Sequence, residues 1–239
     1  MKKEDAYQLI NYFANKIGLG VRRFPAREQR RLIKYLTEKN INYCFDVGAN
    51  VGQFGRNLRS IGYKGQILSF EPQKNAFRKL EKYIKHDPFW DAINIGLGNT
   101  DGAAKINVSK NSVSSSMLNI LDTHINASPE SQFINVEDIE VHRLDSFISE
   151  RGILENYFLK IDAQGFESKI LEGAVGCMHQ ISALQLELAC VPLYAGELLF
   201  DDMKKRIESE GFYLSSIESG FADENDGRLL QVEAIFLRK

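Results

Sequence analysis

The sequence predicts an α/β fold: a Rossmann-like, mainly parallel sheet of seven strands with helices on both faces and a helical extension ahead of it. Three observations predict it. From Ile41 onward, short apolar runs alternate with segments whose apolar residues recur at helical spacing, the rhythm of a parallel sheet wrapped on both sides. The run 41–47 stops abruptly at Gly48, and after Gly52 the residues Phe54, Leu58 and Ile61 fall on one helical stripe, so strand, glycine turn and helix follow one another. At the far end, residues 213–217 and 229–237 flank a stretch rich in Asp, Asn and Gly, which predicts a terminal hairpin adding two antiparallel strands at the sheet edge.

A chain of 239 residues can bury one substantial core, and the division expected is a helical extension over 1–40 and one α/β domain over 41–239. Its 44% hydrophobic and 26% charged residues are those of a globular protein, which excludes a disordered chain. No apolar run is long enough to span a bilayer, and Met1-Lys2-Lys3-Glu4-Asp5 leads into no signal-peptide core, so a cytoplasmic location is expected. Cys44, Cys177 and Cys190 have no metal-ligand spacing and an odd count, and read as buried free thiols. The net charge of −2 is unevenly divided: residues 1–40 hold ten Lys and Arg against four Asp and Glu, an excess of +6 that leaves −8 for the rest. We read this basic arm as a solvated helix face; anionic lipid, a phosphate-bearing substrate and nucleic acid are its other possible partners.

Tyr7, Ile10, Phe13, Ala14 and Ile17 share one helical face that ends at Gly18 and Gly20. After Pro25 a second helix runs to Lys39 with Leu32, Ile33 and Leu36 as its inner stripe. The pair is suited to covering the mouth of the active site, forming a homodimer surface, or packing on the core. Residues 65–70 are the next strand, and a helix over 74–84 carries Phe77, Leu80 and Ile84 inward. Residues 91–98 read as a third strand whose glycines open its end. The rhythm then breaks. Residues 104–108 alternate like an exposed strand, and 111–116 form a patch of small hydroxyl and amide side chains, suited to hydrogen bonding a ligand or to a plain surface linker. Residues 139–148 read as a strand passing into a short helix. Residues 157–162 and 183–188 are the fourth and fifth strands, and a helix over 199–210 is stopped by Gly211.

Amide N–H groups at the start of a helix point at whatever sits on the preceding turn, so the turn over 48–52 is a small-molecule cradle. A dinucleotide site carries glycine at the second place of its fingerprint, where a pyrophosphate touches the backbone. Here Asn50 stands there, and Asp46 sets a carboxylate just before the turn. A carboxylate repels a diphosphate and attracts an ammonium, so Asp46-x-Gly48-x-Asn50-x-Gly52 suits S-adenosylmethionine, which has an amino-acid end and no phosphate. Glu71 ends the next strand about 20 residues on, where an acid accepts hydrogen bonds from the ribose hydroxyls of an adenosine. Cofactor contacts are therefore expected at Asp46, Gly48, Asn50, Gly52, Phe54 and Glu71, with Asn94 and Gly96 bordering the adenine. Either acid alone would be no more than a turn cap or a solvated strand end; the pair at this spacing points to a cofactor.

These residues belong to a longer ordered set. Asp46-Val47-Gly48-Ala49-Asn50-Val51-Gly52-Gln53-Phe54, Phe70-Glu71-Pro72, Arg143-Leu144-Asp145-Ser146, Leu159-Lys160-Ile161-Asp162-x-x-Gly165-x-Glu167 and Gln231-x-x-x-Ile235-Phe236 resemble the FkbM-type S-adenosylmethionine-dependent methyltransferases over roughly residues 41–239. The resemblance implies the seven-stranded class I methyltransferase fold, with the first and fourth strands side by side. It also implies transfer of a methyl group to oxygen, commonly a hydroxyl of a sugar, glycolipid or polyketide. The helices before residue 41 lie outside it.

A sulfonium methyl is already activated, so in-line positioning supplies much of the rate, and a base that takes the hydroxyl proton adds ~100- to 10,000-fold. In that fold Asp162 ends the strand next to the cradle and is the first candidate for the base or for orienting the hydroxyl. Glu187 on the neighbouring strand is second, and His124, a lone loop histidine, third. Asp162 and Glu187 also suit Mg²⁺, but no third ligand is evident, so metal dependence is not favoured. As structural residues they would cap the helices after their strands. Rival readings are a non-catalytic cofactor- or glycan-binding module, an NAD-dependent enzyme, and an RNA methyltransferase guided by Arg22, Arg23, Arg27, Arg30 and Arg31.

Overall fold

The computed structural model describes residues 3–21, 24–152 and 156–239. Arg22 and Arg23 of the basic arm lie outside the described residues. Helices α1 (Lys3–Asn15) and α2 (Arg27–Glu38) come first. They are followed by β1 (Tyr43–Val47), α3 (Gln53–Ser60), β2 (Gln66–Phe70), α4 (Lys74–Ile84) and β3 (Trp90–Ile93). Next come β4 (Gly96–Leu97), β5 (Gly102–Ser109), α5 (Asp122–Ala127), β6 (Phe133–His142) and α6 (Leu144–Arg151). The chain closes with β7 (Tyr157–Ile161), α7 (Glu167–Glu172), β8 (Ile181–Ala189), α8 (Phe200–Ser209), β9 (Phe212–Ser219) and β10 (Gln231–Arg238).

The main sheet has seven strands in the order β3-β2-β1-β7-β8-β10-β9, with β1 parallel to both β2 and β7. Parallel neighbours need crossovers, and those crossovers deliver a helix to each face. The two-residue period of a strand then divides its side chains between two cores. Phe45 and Leu159 join the core that holds Leu144 and Ile170, while Cys44 and Phe158 join the one that holds Leu36 and Leu58. Asp46 and Lys160 share that second face, above the apolar layer, where the polar end of the sheet begins.

The terminal hairpin forms at the sheet edge as the sequence predicts. Within it β10 enters between β8 and β9, antiparallel to both, and β9 is outermost. Burial explains the choice, because β10 is buried along most of its length whereas β9 alternates with exposed residues. Residues 91–98 also divide. β3 ends at Ile93, and Gly96–Leu97 pairs with β6 in a second, three-stranded sheet ordered β4-β6-β5. This sheet accounts for the broken rhythm after residue 98.

Leu32 and Leu36 of α2 are buried, so α2 is part of the core. The stripe of α1 is not: Ile10, Phe13 and Ile17 are 54%, 59% and 73% exposed. Cys44 and Cys177 are buried as expected, but Cys190, just past the end of β8, is exposed. Among the described residues no helix is long and apolar enough to cross a membrane.

Candidate active site

β1, β2 and β7 end on the same side of the sheet, as parallel strands must, and a cavity of about 430 Å³ opens over those ends. The turn after β1, residues 70–73 after β2 and residues 160–164 at the end of β7 line it, with the loop over 112–117 on the remaining side.

Gly48 makes the turn possible. It bends at φ +73°, and a Cβ there would stand 1.8 Å from the Asp162 carbonyl oxygen, so β1 and β7 converge over bare backbone. Asn50 follows in the left-handed region at φ 47°, which asparagine tolerates. Its N–H donates to Glu71 Oε2 at 2.7 Å, and the Gln73 N–H donates to Oε1 at 2.7 Å. Glu71 is 2% exposed, and burial pushes its carboxyl up to about 7 against those two bonds. Each oxygen keeps a lone pair for a further donor.

Asp46 does not line the cavity. It is buried beneath the turn, where Lys160 Nζ stands 3.2 Å from Oδ1 and Ser69 Oγ donates to Oδ2 at 3.3 Å. The Trp90 indole N–H donates in turn to Ser69 Oγ at 3.0 Å. Lys160 Nζ is also 3.4 Å from Asp162 Oδ2 and donates to the Gly48 carbonyl at 3.4 Å. Burial would lower the lysine, but Asp162 and Asp46, with Glu233, outweigh it and hold the ammonium charged. For Asp46 burial is the larger effect and raises the carboxyl, with Lys160 opposing it.

Asp162 faces the cavity with its side chain 31% exposed. Its Oδ1 accepts from Gln164 Nε2 at 3.0 Å, and the same amide donates to Glu187 Oε2 at 2.6 Å. The two carboxylates on Nε2 fix the way the amide faces, and its Oε1 lies 2.8 Å from the Tyr194 hydroxyl, which is also 2.9 Å from the Ser114 carbonyl. Glu187 also accepts from Gln231 Nε2 at 3.0 Å and stands behind the lining. Burial first, then the charges of Asp162, Glu233 and Glu167, raise its carboxyl. Glu167 Oε1 accepts the N–H groups of Ala163 at 2.9 Å and Gly165 at 3.2 Å, closing the turn after β7, and burial pushes its carboxyl up to about 8.

Of the residues singled out from sequence, Gly48, Asn50, Phe54, Glu71, Gly96 and Asp162 line the cavity, and Asp46, Gly52, Asn94, Glu187 and His124 do not. Gly52 faces Leu80 and Trp90. Asn94 Nδ2 donates to the carbonyls of Glu71 and Pro72 at 2.8 and 2.9 Å, holding that corner in place. His124 lies in α5, with the rings of Tyr194 and Phe221 each 5.2 Å away, and burial lowers its pKa to about 4, so it is a neutral imidazole. The loop over 111–116 is no slack linker. Ser114, Ser115 and Ser116 are buried, the Ser112 carbonyl accepts from Asn50 Nδ2 at 3.2 Å and Gln73 Nε2 at 3.1 Å, and Ser116 Oγ donates to the Gln164 carbonyl at 2.7 Å. Sequence reasoning missed Lys160, Gln164, Gln185 and Glu233, all of which line the cavity. Lys160 carried a signal, being the one charge in the otherwise apolar strand Tyr157–Ile161, where only a paired ammonium is tolerated.

Among the described residues Lys160 is the one cation lining the cavity, and two carboxylates already claim it. A diphosphate would meet Glu71, Asp162 and Glu233 with no unclaimed cation among the described lining residues to receive it. A ligand with vicinal hydroxyls and a cationic centre suits that wall. Among the described residues no group of three or more His, Cys, Asp or Glu is arranged to hold a metal ion.

A model of the methyltransferase FkbM domain matches residues 46–214. The chain is 22% identical over 174 residues to the 2-O-methyltransferase NoeI of Sinorhizobium fredii (strain NBRC 101917 / NGR234), covering 70% of this chain and 72% of that protein. A crystal structure of a methyltransferase FkbM from Methylobacillus flagellatus KT is similar at 16% identity with a TM-score of 0.51. That likeness covers 82% of this chain and 44% of the other, so the chain spans less than half the length of that solved relative, and what they share is the fold.

Proposed function

The chain belongs to the methyltransferase FkbM domain family, and on that premise we propose that it transfers a methyl group from S-adenosylmethionine to a hydroxyl of a sugar, glycolipid or polyketide-type small molecule. The observation that carries this reading is one cavity joining the Glu71 carboxylate at the end of β2 to the Asp162 carboxylate at the end of β7, across the bare turn at Gly48. The 2-O-methyltransferase relative supports oxygen as the accepting atom.

S-adenosylmethionine supplies, when bound, a methyl group on a sulfonium centre already activated for in-line transfer. Glu71 accepts the ribose hydroxyls with the lone pairs that Asn50 and Gln73 leave free. The turn over 48–50 and the start of α3 receive the amino-acid end, with Gly96 bordering the adenine. Phe54 and Asn50 close the sides. Asp162, held between Lys160 and Gln164, orients the acceptor hydroxyl and takes its proton. Lys160 holds Asp162 and the Gly48 carbonyl in place, and Asp46 acts through Lys160. Glu187 acts on Asp162 only through Gln164, and His124 only through Tyr194.

Titration calorimetry with S-adenosylhomocysteine, beside a labelled-methyl assay on a glycan panel, separates the roles. Glu71→Ala is expected to weaken affinity about tenfold or more, the loss of charge-assisted bonds. Asp162→Ala is expected to spare affinity and lower turnover by about 100-fold or more. Equal loss of affinity in both variants overturns this division, and binding of NADH in place of S-adenosylhomocysteine overturns the cofactor.

A further inference from the structure

We propose that Glu233 and Gln185 form the acceptor subsite and select a hydroxyl-rich ring without an anionic group, such as a neutral sugar, over an anionic one. In sheet order the cavity lining passes from Glu71 after β2, over the turn after β1 and Asp162 after β7, to Gln185 on β8 and Glu233 on β10. The proposed function, on which this inference rests, gives S-adenosylmethionine the ends of β2, β1 and β7. Two further strand spacings, about 10 Å, remain on the other side of Asp162. The acceptor must reach Asp162, and that is the side the cofactor leaves open.

Register makes this end of the cavity polar. Phe158, Ala183 and Ile235 belong to one apolar cluster, on three neighbouring strands. Two residues nearer the cavity, the same face carries Lys160, Gln185 and Glu233, with Lys160 and Gln185 paired in the sheet. Gln53 and Asn57 of α3 line the cavity as well, and their amides can donate to or accept from a hydroxyl.

The three strand residues are short of donors. Gln185 Nε2 donates to Glu233 Oε2 at 2.9 Å, and among the described residues Glu233 Oε1 receives no hydrogen bond. Gln185 Oε1 is buried and also lacks a donor among them. Lys160 does not make up the deficit, because Asp46 and Asp162 hold its ammonium. Oxygens shut away from water without donors are costly until a ligand supplies them. The hydroxyls of a ring supply donors without charge. A carboxylate or phosphate brings only more acceptors, and a charge like those of Asp162 and Glu233 where water screens it little.

The test is a titration of the full chain by saturation-transfer NMR at pH 8, with and without saturating S-adenosylhomocysteine. Methyl β-glucoside and methyl β-glucuronide are the probes, alike in shape and different in charge. The glucoside is expected to bind in both states, at least about tenfold more tightly than the glucuronide. Glu233→Gln keeps an oxygen for Gln185, so it should keep the melting temperature while cutting that preference at least about threefold. Glu233→Asp keeps the charge and should keep the preference. Equal binding of the two sugars by the unaltered chain overturns the proposal without reference to any variant. So does binding of neither, displacement of the glucoside by S-adenosylhomocysteine, or an undiminished preference in Glu233→Gln. If S-adenosylhomocysteine fails to bind, the proposed reaction falls, and the sugar comparison without it still reads the subsite.

Discussion

Lys160 on β7 and Asp46 on β1 meet side by side in the sheet, Nζ 3.2 Å from Oδ1, with both side chains buried. The pair ties together the two strands whose ends form the cavity floor, and it leaves Lys160 its second contact with Asp162. Lys160→Met strands a buried carboxylate, so a loss of about 3–5 kcal/mol is expected in urea unfolding. Adding Asp46→Asn removes the stranded charge, and the double variant is expected to recover most of that loss. Equal stability of the single and double variants would mean that the two groups do not act as a pair.

The Glu71 carboxyl titrates at 4.5 when unperturbed and at about 7 here. The folded state therefore holds the proton more tightly than the unfolded one. Its stabilising contribution is complete below pH 4.5 and is lost as pH rises through about 7. Hydrogen bonds from ribose hydroxyls need the ionised form, so ligand affinity runs the other way. Affinity for S-adenosylhomocysteine should fall by up to about tenfold for each pH unit below 7 and level off above it. Calorimetry across that range checks this, and Glu71→Gln should flatten the profile.

Gly48→Ala should be severe. The added methyl meets the Asp162 carbonyl at 1.8 Å in a left-handed turn, so β1 and β7 must part. A loss of about 2–4 kcal/mol is expected in thermal unfolding, with S-adenosylhomocysteine binding reduced below detection. Gly20→Ala, where a Cβ meets open space, is the control and should change neither.

Glu167 separates a charge from an acceptor. Glu167→Gln keeps an oxygen for the Ala163 and Gly165 N–H groups and removes a buried ionisable group, so stability at pH 8 should stay level or rise. Glu167→Ala abandons both N–H groups and should cost about 1–3 kcal/mol. Urea titrations of the two variants give the comparison.

Thiol chemistry gives a simple check on the fold. Cys190 is exposed whereas Cys44 and Cys177 are buried, so one thiol should react with Ellman's reagent in the native protein and all three in denaturant.

The cradle was legible from sequence because backbone geometry forced it: Gly48 and Asn50 stand where the chain must turn left-handed, and punctuation fixes Glu71 at a strand end. The charge of Asp46 was equally legible, but its partner was not. Lys160 reaches it only through the parallel register of β1 and β7, which no local pattern encodes. His124 drew notice by residue type alone, and what decides its chemistry is the wrapping of Tyr194 and Phe221 from distant parts of the chain. The second sheet escaped notice because its β4 is only Gly96–Leu97, too short to show a period.

The interior place of β10 has a consequence for biosynthesis. A nascent chain still tethered to the ribosome anywhere short of Arg238 has an open seam beside β8, and Glu233 of the cavity wall sits on the strand that fills it. Closure of the sheet therefore waits on β10, and cutting the chain before Gln231 would delete an inner stave rather than trim a loose end.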